Sequence, residues 1–131
     1  MIVPITTDIN RNKDLTTFTA TGMVTYAEQI AVLKEFYEAK PTSNVIWDLR
    51  ELYGPRLSND ELEEIVLFVK KKGHAKRRGK TALVSTSDLD FGLSRMAENY
   101  AESENLPWQI QAFRTMAEAL KWIHAPEEHP P

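Results

Sequence analysis

The sequence predicts an α/β fold: a five-stranded mixed sheet that starts with a β-hairpin, with four helices mainly on one face. Three observations predict it. Two alternating runs flank a polar turn near the N-terminus, short apolar runs then alternate with helical periodicity, and four helix starts share one capping signal.

The elements follow in order. Residues 2–9 set Val3, Ile5, Thr7 and Ile9 against Pro4, Thr6 and Asp8, a strand whose Pro4 marks it as an edge. Residues 10–14 are a polar turn, after which Phe18 and Ala20 oppose Thr17 and Thr19 in a second strand. The pairs Thr25 and Glu28, Ser58 and Glu61, Ser87 and Asp90, and Thr115 and Glu118 each place a hydroxyl three residues before an acid. That spacing lets each partner satisfy a free N–H at a helix start. The stops agree: Pro41 follows the first helix, Gly73 closes the second and Pro126 follows the fourth. Apolar stripes accompany the signals, such as Leu62, Ile65, Val66 and Val69 in the second helix and Leu89, Leu93, Met96, Ala97, Tyr100 and Ala101 in the third. Residues 45–49, 81–85 and 109–113 supply the intervening strands, so the sheet is largely parallel with right-handed crossovers. Thr17, Thr19, Asn44, Asp48, Gln109 and Gln111 punctuate one face, with Ile46 and Leu83 as exceptions. That face is expected to be partly open, with the helices on the other.

Composition bounds the function. With 131 residues, the expected organisation is one domain over residues 1–125 and a flexible tail over 126–131. Cysteine is absent, which excludes disulfides, thiolate metal sites and cysteine nucleophiles. The N-terminus lacks the pattern of a signal peptide, and no apolar run nears the ~20 residues that span a bilayer, so the expected location is cytoplasmic. A net charge of −3 argues against general nucleic-acid binding. Even so, the run from Lys70 to Lys80 holds seven of the sixteen Lys and Arg residues. It could touch an anionic membrane, or it could simply complement a helix C-terminus.

The stretches Thr21-Gly-Met-Val-Thr25, Trp47-Asp-Leu-Arg50, Phe91-Gly-Leu-Ser-Arg-Met96 and Glu118-Ala-Leu-Lys-Trp122 resemble the SpoIIAA-like proteins of the STAS superfamily. The resemblance covers residues 2–124 and implies a right-handed β/α superhelix. One branch of that fold antagonises anti-sigma factors and is switched by phosphorylation of a serine at the start of the second helix. Another is similar to the CRAL-TRIO lipid-transfer domain, with an apolar cleft between helices and sheet. The phospho-switch motif is Asp-Ser-(Ser/Thr)-Gly, whereas this chain reads Arg56-Leu-Ser58-Asn-Asp-Glu61 and lacks its glycine. Ser58 is therefore a candidate phosphosite and equally a plain N-cap.

No cofactor motif, metal-ligand spacing or nucleophile with its base stands out. His74, His124 and His129 lie away from the strand ends. The leading expectation is a non-catalytic, STAS-type module that binds a protein partner, a second copy of itself included, or a small apolar or lipid-like ligand. Leu67 and Phe68, off the core stripe of the second helix, support a contact surface. The alternative is an enzyme using Asp48, Ser85, Ser87 and Arg95 at the strand ends. Candidate ligand-binding residues are Trp47, Asp48, Arg50, Ser85, Ser87, Leu89, Phe91 and Arg95. Trp47 would floor an apolar cleft, Arg50 and Arg95 would stand at its polar mouth, and Leu89 and Phe91 would close over it, hinged near Gly92.

Overall fold

The computed structural model describes residues 4–73 and 79–126. Its elements run β1 (Ile5–Asn10), β2 (Leu15–Gly22), α1 (Tyr26–Glu38), β3 (Asn44–Leu52), α2 (Asn59–Gly73), β4 (Lys80–Val84), α3 (Asp88–Ser103), β5 (Gln109–Phe113) and α4 (Met116–His124). The strands lie in the sheet in chain order, β1 antiparallel to β2 and each later pair parallel. The fold class is the one expected.

Chain-order pairing decides where the helices go. Every β–α–β crossover steps in the same direction, so one handedness puts α1, α2 and α3 on the same face. α4 closes no crossover and folds back onto the opposite face. There Ala119 and Ile123 pack against Leu15, Ile46, Ala82 and Val84. On the three-helix face, Phe18, Val45 and Trp47 of the sheet meet Leu33, Phe36, Ile65 and Val69. Trp47 pairs with Leu83 in register, and Ile46 with Ala82. Leu83 therefore belongs to the three-helix face, and Ile46 is apolar because α4 covers it. Thr17, Thr19 and Asp48, which α4 does not reach, are half-buried, and Gln109 and Gln111 are exposed, so this face is open toward β2 and again along β5.

The local signals act as their chemistry dictates. Thr25 and Glu28 form a reciprocal capping box, as do Ser58 and Glu61. Ser87 and Thr115 accept from the third backbone N–H of their helices. Asp90 and Glu118, however, accept from the cap hydroxyl rather than from the cap amide, so the reciprocal half of the box is missing there. The hairpin turns through Asp14 at φ 53°, and the Asp14 amide donates to the Arg11 carbonyl. At the sheet edge the helical layer buries Ile5 but leaves Ile9 48% exposed, although the two share a face. Gly73 ends α2 where no side chain fits: a Cβ there would stand 2.7 Å from the Trp108 ring and 2.9 Å from Tyr37. Lys80 is buried, and its ammonium donates to the carbonyls of Trp122 and Ala125 at 2.8 and 3.1 Å, closing the end of α4. No described helix is long and apolar enough to cross a membrane. Residues 127–131 of the expected tail lie outside the described residues.

Candidate functional site

Between the sheet and its three-helix layer lies a cavity of about 140 Å3. Alternation along β2 and β3 points Phe18, Trp47 and Leu49 into it, while α1 and α2 contribute Leu33, Ile65 and Val66. Its floor is aromatic. Phe18 stacks on Trp47 with ring centroids 4.5 Å apart and meets Phe36 edge-on at 5.5 Å.

One wall is polar, and α3 supplies it. Asp90, Ser94 and Ala97 fall on one helix face and all line the cavity. Asp90 receives a two-pronged clasp from Arg56, whose Nε and Nη2 donate to Oδ1 and Oδ2 at 2.6 and 3.0 Å. The same guanidinium donates to the backbone carbonyls of Leu52, at 3.1 Å, and Gly54. Arg56 thus pins the loop after β3 to the start of α3. Ser87 adds a hydroxyl to Asp90 Oδ2 at 2.8 Å. Burial alone would raise the Asp90 pKa, but the hydrogen bonds from Arg56 and Ser87, with the Arg56 charge, hold its carboxyl below the usual range. One turn on, Ser94 is only 4% exposed, and no hydrogen bond ties its hydroxyl to another described residue. Outside this closure, Met23, Tyr53 and Leu89 leave apolar side chains exposed on the loops after β2 and β3 and at the start of α3.

Of the residues singled out from sequence, Trp47 lines the cavity. Asp48 and Arg50 alternate away from it and bind each other through two contacts of 2.9 Å. The Arg50 hydrogen bond outweighs burial and lowers the Asp48 pKa. Arg95 is mostly exposed, 3.8 Å from Glu98. The cation that lines the cavity is Arg56, and neither Arg50 nor Arg95 is among its lining residues. Leu89 is 58% exposed and faces away from the cavity, while Phe91 lies beneath Arg114, whose guanidinium carbon is 4.1 Å from the ring centre. Ser85 is fully buried and its hydroxyl has no hydrogen-bond partner among the described residues, while Ser87 caps α3. No contact among the described residues joins Asp48, Ser85, Ser87 and Arg95 into one constellation. Ser58 is exposed and occupied as the cap of α2.

The basic run is divided. Lys70 reaches Glu104 at 3.2 Å and Lys80 caps α4, while residues 74–78, His74 included, lie outside the described residues. Phe68, expected off the core, packs against it, and Leu67 is the more exposed of the two. No group of three or more His, Asp or Glu suited to a metal occurs among the described residues.

Sequence reading took Asp90 only as the acid of a helix start and did not single out Arg56 or Ser94 as site residues. The available signal was in α3, where Asp90 and Ser94 interrupt the apolar stripe of Leu93, Ala97 and Ala101 at helical spacing. No protein-family model, curated protein or solved structure matches this chain.

Proposed function

We propose that this protein binds a small apolar molecule in the cavity beneath α1, α2 and α3, and that it catalyses no reaction on it. The observation that carries this reading is an aromatic-floored space of about 140 Å3, lined mainly by apolar side chains, between the sheet and the three-helix layer. Apolar cavities near 150 Å3 stay dry and take up benzene. The size therefore points to a ligand of about one ring rather than a long lipid chain. The dispersal of Asp48, Ser85, Ser87 and Arg95 supports a binding role, and the resemblance to SpoIIAA-like and CRAL-TRIO-like proteins agrees with it.

Trp47 and Trp108 both line the cavity, so their fluorescence reports on it directly. Titration with benzene or toluene should shift that emission saturably. It should also raise the unfolding temperature, since a ligand at 100 times its Kd stabilises by about 2.7 kcal/mol. Neither response up to the solubility limit of the probes would remove the reading. Reproducible turnover that disappears in Ser87→Ala would replace it with an enzyme.

A further inference from the structure

Ser94 is the residue that an apolar store would not need. Apart from Asp90, which Arg56 clasps, the part of α3 that lines the cavity is apolar through Leu93 and Ala97, and alanine at 94 would continue it with the best helix propensity. A hydroxyl on a buried residue lines the cavity instead, with no hydrogen-bond partner among the described residues. We infer that the ligand is an uncharged molecule of about one ring carrying a single hydrogen-bonding group, a phenol, alcohol or amide, which it places on Ser94 Oγ. The inference rests on the apolar-ligand reading of the cavity and narrows it to a chemical class.

Charge makes the selection. Arg56 offers the only cation on the cavity wall among the described residues, and Asp90 has already neutralised it through two hydrogen bonds. Two further Arg56 contacts go to the carbonyls of Leu52 and Gly54, so little of the guanidinium is left to recognise anything else. A carboxylate or an ammonium would lose hydration in this largely apolar space and find no free counter-charge to replace it. A neutral group on Ser94 avoids that cost, and it satisfies a hydroxyl that has no hydrogen-bond partner among the described residues.

Four probes on the full chain test this by calorimetry and tryptophan fluorescence at pH 7: benzene, phenol, benzamide and benzoate. Benzamide and benzoate share a shape and differ in charge, so benzamide should bind at least ten-fold tighter. Ser94→Ala should weaken phenol about five- to ten-fold, the loss of one ordinary hydrogen bond. The same variant should leave benzene within about two-fold. Because alanine is smaller and a stronger helix former, the variant keeps the fold, and its unfolding temperature confirms that. Benzoate binding as tightly as benzamide overturns the charge argument. Phenol and benzene responding alike to Ser94→Ala overturns the role of Ser94, with the cavity reading intact. Binding by none of the four overturns both.

Discussion

Arg56 spends its hydrogen bonds on groups that come together only in the folded chain: Asp90, 34 residues away, and two carbonyls of its own loop. Removing it leaves Asp90 buried and charged with only the Ser87 hydroxyl beside it, and loss of the cation costs about 3 kcal/mol in comparable buried pairs. Arg56→Ala should therefore lower stability to urea by roughly that amount. Arg56→Lys should recover only part of it, because an ammonium cannot make the forked contact. Stability equal to wild type in Arg56→Ala would mean that the clasp is incidental. The same residue marks the boundary of what the sequence reveals. Arg50 drew attention because an apolar run ends beside it, yet strand alternation places Trp47 and Leu49 inside and so turns Asp48 and Arg50 outward. That much is a local rule and could have been read. The meeting of Arg56 with Asp90 depends on tertiary structure, and no spacing in the sequence encodes it.

At the scale of the element, α3 is the polar wall of the cavity, and side-chain contacts hold its first turns on both sides. Arg56 takes Asp90 on the inner side. On the outer side Arg114 pairs with Asp88 at 2.9 Å and covers Phe91. Gly92 does not serve close packing, since a Cβ there would meet nothing within 4 Å. Its effect is to weaken the helix between those clasps and the apolar stripe behind them. Acid should release the inner clasp. The folded pKa of Asp90 is depressed below 3.8, so the unfolded chain binds the proton more readily. The clasp therefore contributes its full stability above the usual carboxylate range and loses it as pH falls through the depressed value. Asp90→Asn should be less stable than wild type at pH 7. The gap measured by chemical denaturation should narrow steadily below about pH 4, where wild type loses its charge as well. A gap that is constant with pH would assign the Asp90 effect to packing rather than ionisation. The four helix starts, by contrast, were legible throughout, because a hydroxyl and an acid three residues apart act within one turn.

For the molecule as a whole, the sheet order follows from alternating strand and helix signals joined by short connections, together with the handedness of crossovers. The position of α4 was less legible. Ile46 looked like an exception on an open face until a helix outside every crossover was seen to cover it. The cavity was legible only as an expectation from family resemblance, because a void is the misfit of many side chains and no single residue records it. That misfit also gives the test at this scale. If the three-helix layer keeps a space for a ligand, filling it should stabilise the protein and abolish binding together, the trade expected where function requires imperfect packing. Ala97 stands on the cavity wall in the middle of α3, and leucine there extends three carbon atoms inward. At about 0.8 kcal/mol per buried methylene, less the ordering of the new side chain, Ala97→Leu should gain roughly 1–2 kcal/mol. The same substitution should eliminate the fluorescence response to benzene and phenol. A destabilised Ala97→Leu that still binds both probes would place the ligand elsewhere. A stabilised one that has lost them ties the cavity, the packing defect and the binding activity to one location.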